Sequence, residues 1–450
     1  MDNSGMFYRP CRDGVVLHHF VPSTESVGLL SFCPSGTILP ASRNATCAQG
    51  AMVPPAYEHG VFLATFEMPK GMIEHPTSIE PLDDAALPDL CRRAEAALDF
   101  AGRQVRHLVT RYPDYFPLFT TGGKWEHDRE AWTNWCEGFL GGMLWILARR
   151  RADPWYREQA EHYSLLIEQR KTDRTVHDLG FLFLPTWKVW YELTRDPGKK
   201  QVVIEAGRTL ALRFQRRGRY LCSFVAPESL FIDIMMNVGL IFYAAKETQD
   251  DALGKVALEH CLTTRRYLVR GDGSIAHEGI FDLNTGEFLR QSTHQGWRND
   301  SSWARGQAWA LYGFITAYEF TADDRFLRTA QQCADFFIDR TPPAGIPPND
   351  WEQPAPRQIY ESSAAAIAAG GLLTLSRAVK DTEIARAYRT RAHRILDSLL
   401  GPEFLADETP GWEGILKHGI YHERKQLGID ESVMWGEYFF LSAIDSLLAK

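Results

Sequence analysis

The sequence predicts an all-α protein, an (α/α)6 toroid of six inner and six outer helices that follows an irregular N-terminal extension. Three observations carry that expectation. Twelve segments between residues 87 and 449 repeat apolar residues at helical spacing. The segments alternate between a strongly apolar and a more charged kind, and each of the first five apolar ones runs through a short acidic turn into a charged amphipathic one. Inserts of variable size, expected after the inner helices and including Gly271–Ser301, suit the rim of a closed ring better than the even repeats of an open helical solenoid.

Residues 1–85 show no sustained period of 3.6 or 2 and are rich in Pro, Gly and Ser, so they are read as the extension, with short strands such as Gly60–Phe66. Residues 86–450 form the toroidal domain. Its first helix, 87–112, carries Leu90, Ala94, Leu98 and Val105 at helical spacing. The others are expected at 133–151, 154–171, 178–194, 198–217, 232–248, 250–270, 302–320, 324–340, 360–379, 382–401 and 431–449. The apolar set includes WCEGFLGGMLWILA, GFLFLPTWKVWYEL, DIMMNVGLIFYAA, ARGQAWALYGFITAYEF, SSAAAIAAGGLLTLS and SVMWGEYFFLSAI, which should be buried on most sides.

Composition narrows the function. With 45% hydrophobic and 24% charged residues the chain is an ordinary globular protein, and a net charge of −8 with no basic run argues against nucleic acid. Apolar runs such as Phe181–Trp187 and Val238–Ala245 are too short to span a bilayer, so no membrane association is expected. The N-terminus lacks a basic region followed by an apolar core, which predicts a cytoplasmic protein. Eight cysteines without a CxxC pair suit reduced thiols better than disulfides or zinc. Oligomeric state is left open.

Candidate chemistry gathers at the starts of the inner helices: Trp135 and Glu137, His177 and Asp178, Asp233 with Asn237, and Arg305 with Trp309. Taken singly, Asp178 or Asp233 is a helix cap, a role that contributes about 1 kcal/mol. Two such carboxylates at the same end of one ring instead stand at one cavity mouth, where crowding raises one pKa and keeps a proton donor near neutral pH. Ser292–Gly313 adds Gln295, Trp297, Arg305 and Trp309. Ser301 or Ser302 is expected to cap the helix Ala304–Phe320, with Arg305 and Trp309 on one face as a cation and a flat wall for a sugar. His277 reads as a metal ligand, a proton shuttle or a satisfied loop histidine, and His177 and His294 are equally ambiguous. No second His or Cys stands at ligand spacing, and Gly-rich phosphate loops and GxSxG elbows are absent, so neither metal nor cofactor is expected.

Taken together, WCEGFLGGMLW, HDLGFLF, Ile232-Asp233 to Asn237, THQG with SSWARGQAWALYG, YESSAAAIAAGGLL and MWGEYFFL resemble, in that order over Leu87–Lys450, the unsaturated glucuronyl hydrolases of glycoside hydrolase family 88. The resemblance implies an (α/α)6 barrel without a metal. It makes Asp233 the general acid/base and Asp178 the second essential carboxylate, and places Trp135, His277, Gln295, Arg305 and Trp309 around an unsaturated uronyl sugar. The implied substrates are Δ4,5-unsaturated uronyl oligosaccharides left by polysaccharide lyases, and the implied reaction is hydration of the vinyl-ether double bond. Compact members lack the extension, and Tyr220–Phe231 lacks a Trp that some members place near the leaving sugar. Unsaturated rhamnogalacturonyl hydrolysis, ordinary inverting glycoside hydrolysis or epimerisation on the same toroid, and non-catalytic carbohydrate binding are the alternatives. The last would retain Trp135 and Trp309 but require neither carboxylate.

Overall fold

A helix that is apolar all round must be covered on all sides, whereas one with a single apolar stripe needs cover on one. In the computed structural model, which describes residues 86–125, 134–354 and 359–449, this difference sorts the helices into two rings. The expected extension over 1–85, with its strand at Gly60–Phe66, lies outside the described residues. The outer helices are α1 (Ala86–Arg111), α3 (Pro154–Leu166), α5 (Pro197–Ala211), α7 (Asp251–Leu268), α9 (Asp324–Arg340) and α11 (Thr382–Leu399). The inner ring begins with α2 (Gly138–Arg150). α4 follows, as Leu179–Phe183, a π-helical turn over Leu184–Lys188 and Val189–Thr194. α6 joins Ile234–Asn237 to Gly239–Thr248, and α8 (Ala304–Thr321), α10 (Ser362–Ala378) and α12 (Met434–Leu447) complete the set.

Each inner helix packs on the next, and α12 returns to pack on α2. That contact closes the ring, which an open solenoid could not do. None of the helices among the described residues is long and apolar enough to cross a membrane.

The long inserts follow the outer helices, not the inner ones as the sequence suggested. They carry the chain to the N-terminal ends of α6, α8 and α12, and they contain antiparallel strands that helical periodicity could not reveal. β1 (Phe214–Gln215) pairs with β2 (Tyr220–Leu221). β3 (Ser229–Phe231), β4 (Glu278–Phe281) and β5 (Phe288–Ser292) form one sheet in that order, and β6 (Gly419–His422) pairs with β7 (Leu427–Glu431). One end of the ring is therefore built from inner-helix N-termini walled by inserts.

Capping separates the two rings. The acidic turns supply Asp153, Asp196, Asp250, Asp323 and Asp381, each of which accepts a backbone N–H of its outer helix. Of the inner helices, only α10 is capped by a side chain, that of Glu361. Asp178 and Asp233 occupy the cap positions of α4 and α6 without making a capping bond. The expected serine cap of α8 is also absent. Ser301 Oγ instead donates to Asp350 Oδ2 at 2.6 Å, and the Ser302 N–H is held by Glu352. Close packing of α4 on α6 requires Gly180, since a Cβ there would lie 2.5 Å from Asn237 Cα.

Asp381→Ala should therefore cost about 1 kcal/mol of unfolding free energy in urea at unchanged specific activity. Gly180→Ala should cost several times as much, because backbone has to move. Equal losses would show that α4 and α6 do not approach this closely.

Candidate active site

At the insert-walled mouth a cavity of about 250 Å³ is lined by Trp135, Asp178, Asp233, Gln295, Arg305 and Trp309, together with residues of the inserts. Six of the seven expected site residues thus meet in one place. The seventh, His277, lies behind Asp233, with its Nε2 3.5 Å from Asp233 Oδ2. Its Nδ1 accepts the N–H of His294 at 3.0 Å and that of Gln295 at 3.3 Å, so the ring proton is on Nε2 and faces the carboxylate. This geometry gives His277 a role that none of its three open readings named, an N–H held toward Asp233. Glu137, also at an inner-helix start, is taken up by an ion pair with Arg170.

The two carboxyls share a neighbourhood but differ in proton affinity. Burial, and after it the charge of Asp233, hold Asp178 well above the usual carboxylate range. Burial also pushes Asp233 up, but the neighbouring His277, and after it His177 and Arg305, outweigh it and bring the group below its ordinary value. Of the two, Asp178 is therefore the carboxyl with the stronger hold on a proton.

Arg305 is more constrained than the sequence implied. Its guanidinium donates to the carbonyls of Ile420 and Tyr421 and, at 2.6 Å, to Gln295 Oε1, while Glu361 Oε2 lies 3.5 Å away. The indoles it lies over are those of Trp303, at 4.4 Å, and Trp435, at 4.9 Å, rather than that of Trp309. Trp309 packs on Phe181 and Phe439. Trp135 stacks over Tyr421 and tilts against Trp435. Trp297 faces an adjoining recess that shares Gln295 with the cavity.

Sequence reasoning missed Phe224, Tyr421, His422 and Lys425, which the inserts contribute to the wall. The loop lacking the expected Trp supplies Phe224, partly exposed at the lip and stacked on His177. Tyr421 and His422 end a four-residue strand and Phe224 and Lys425 lie outside the helices of the rings, so helical pattern could not single them out.

Residues 105–415 match Glycosyl Hydrolase Family 88. Similar proteins include the unsaturated glucuronyl hydrolase of Bacillus sp. (strain GL1), 30% identical over 361 residues, which cover 78% of this chain and 95% of that one. The unsaturated chondroitin disaccharide hydrolase of Streptococcus pyogenes serotype M1 is 29% identical, covering 77% and 89%. Among solved structures, the Bacillus sp. GL1 unsaturated glucuronyl hydrolase aligns with a TM-score of 0.74 at 29% identity, over 79% of this chain and 96% of that one. An Asp-to-Asn variant of the Streptococcus agalactiae enzyme, complexed with dGlcA-GalNAc6S, aligns with a TM-score of 0.67 at 26% identity, over 83% and 94%.

Two substitutions should move stability in opposite directions. The folded-state pKa of Asp178 is raised, so from the ordinary carboxylate range upward the folded chain holds a proton that the unfolded chain has released, and its stability falls as pH rises. Asp178→Asn removes this penalty and should melt above wild type, by more at about pH 8 than at about pH 5. A lower melting temperature at both pH values would show that the carboxyl is compensated where it lies. Arg305→Ala leaves Glu361 buried without its cation and should lose about 3 kcal/mol in urea unfolding. A loss below about 1 kcal/mol would show that the four cap and loop donors to Glu361, from Ser363, Ala364 and Ile420, suffice.

Proposed function

The chain belongs to glycoside hydrolase family 88, and on that premise we propose that it removes a Δ4,5-unsaturated glucuronyl residue from the non-reducing end of lyase-generated oligosaccharides. The observation that carries this reading is the pair Asp178 and Asp233: a buried and a half-buried carboxyl, neither capping its helix, whose proton affinities are shifted in opposite directions at one cavity mouth. A sugar-binding module needs no such pair. Relatives named for unsaturated glucuronyl and chondroitin disaccharide substrates support the uronyl class.

Substrate adds an anion, because the double bond is conjugated to a carboxylate. Lys425, exposed at the lip, draws that anion inward. Arg305, already surrounded by acceptors, fixes Gln295 and contributes positive potential instead of a free fork for the carboxylate. A second negative charge in the cavity raises the proton affinity of Asp233, so the proton held by Asp178 passes to it. Asp233 then protonates C4, and the positive charge that develops on C5 and the ring oxygen is stabilised by the now ionised Asp178. Water adds to C5 and returns its proton to Asp233. The product is a hemiketal. Its opening leaves a ketone at C5 and a hydroxyl on C1, and the collapse of that C1 hemiacetal to an aldehyde releases the neighbouring sugar as an alcohol. His277 keeps Asp233 ionised until substrate arrives, and Trp135 and Trp309 provide apolar walls for the ring.

The test is loss of the ultraviolet absorbance of the conjugated alkene on a panel of lyase-generated disaccharides from glycosaminoglycan, gellan, xanthan, ulvan and rhamnogalacturonan. Wild type should consume at least one glucuronyl substrate, and Asp233→Asn, folded as judged by circular dichroism, should lose about 10²- to 10⁴-fold in kcat. Turnover confined to the rhamnogalacturonan product, or a near-normal rate for Asp233→Asn, would defeat the assignment.

A further inference from the structure

Both carboxyls have a histidine behind them, and the two histidines are oriented by the same device. His277 is turned toward Asp233 by backbone N–H groups at its Nδ1. At His177 the N–H of Phe224 points at Nδ1 from 3.1 Å, so this nitrogen is the acceptor and the ring proton is on Nε2. That Nε2 lies 3.3 Å from Asp178 Oδ1. The ring is held flat against Phe224, with centroids 5.2 Å apart, and edge-on to Phe231. Burial pushes its pKa down to about 3, so at working pH it offers a donor without a charge.

Asp178 Oδ1 also accepts from Asn237 Nδ2 at 3.2 Å. The Asn237 amide thus bonds this oxygen and the His177 Nε2 lies beside it, while among the described residues no donor reaches Oδ2. A proton on Oδ1 would have to face both donors, whereas on Oδ2 it meets neither. We propose that His177 is a positioning residue that, together with Asn237, keeps Asp178 Oδ1 an acceptor and so confines the proton of the carboxyl pair to Oδ2. The proposal rests on the acid-base reading above and extends it, because it names which oxygen carries the proton and what puts it there. The titratable groups around His177 and Asp178 are Asp233, Arg213, His260, His277, Cys136 and Tyr421. Asp233 strengthens the hold of Asp178 on its proton, and Arg213 weakens it.

Three proteins test this, wild type, His177→Phe and His177→Gln, with melting curves to confirm folding. In wild type, 15N NMR of the imidazole, assigned by its disappearance in His177→Phe, should show a neutral Nε2–H ring throughout about pH 5 to 8. On one unsaturated disaccharide, His177→Phe should lose about ten- to a hundred-fold in kcat with KM little changed. The limb of its kcat profile set by Asp178 should move to higher pH, since a donor to the ionised form is gone. His177→Gln can accept from Phe224 and donate to Asp178, and should recover most of the rate. An Nδ1–H or charged ring overturns the proposal. So does a folded His177→Phe with wild-type kcat and pH profile, or a His177→Gln no better than His177→Phe. A chain with the Nε2–H ring that turns over no unsaturated uronide would refute the functional reading and uphold the donor assignment, so the two failures are distinct.

Discussion

Asn237 uses both ends of its amide to join two inner helices at the mouth of the ring. Its Oδ1 accepts the N–H of Phe181 at 2.9 Å, and its Nδ2 donates to Asp178 Oδ1 and to the carbonyl of Asp233, both at 3.2 Å. The separation of Asp178 from Asp233 depends on this one side chain, and the side chain in turn depends on Gly180, which lets α4 come against it. A buried amide with all these partners met is strongly directional, because any shift leaves a donor or acceptor unpaired in a low-dielectric interior. The catalytic spacing is set by backbone and amide geometry, and the carboxyls themselves are left free for chemistry.

The two rings use carboxylates in opposite ways. Outer-helix aspartates satisfy helix N–H groups at the solvent side, where a cap contributes modestly and a charge is readily hydrated. At the inner ends Asp178 and Asp233 leave those N–H groups alone, and their Oδ2 atoms, without a hydrogen bond among the described residues, are a destabilising feature held in place by the surrounding structure. Such residues are where a stable fold concentrates its reactivity. Arg305 belongs to the supporting structure. Lying over the Trp303 and Trp435 rings and paired with the buried Glu361, it links α8, α10 and the β6 carbonyls into one wall.

Helical periodicity, apolar or amphipathic character and acidic turns are properties of short segments, so the twelve helices, their alternation and the five outer caps were readable in the sequence. The ordered motifs likewise identified the family, and six of the residues they singled out line one cavity. What the sequence could not determine depended on partners distant in the chain. Whether Asp178 caps its helix depends on Asn237, 59 residues away, and on which way the His177 ring turns. The stacking partners of Arg305 include Trp435, from the last helix, and its hydrogen bonds come from β6. The inserts that wall the cavity follow the outer helices, and only closure of the ring brings their Phe224, Tyr421 and His422 to the carboxyls. Local pattern determined the elements and the inventory of reactive groups, whereas tertiary structure alone decided which nitrogen faces which oxygen, because hydrogen bonds and proton affinities depend on distances of a few ångströms that no spacing along the chain encodes.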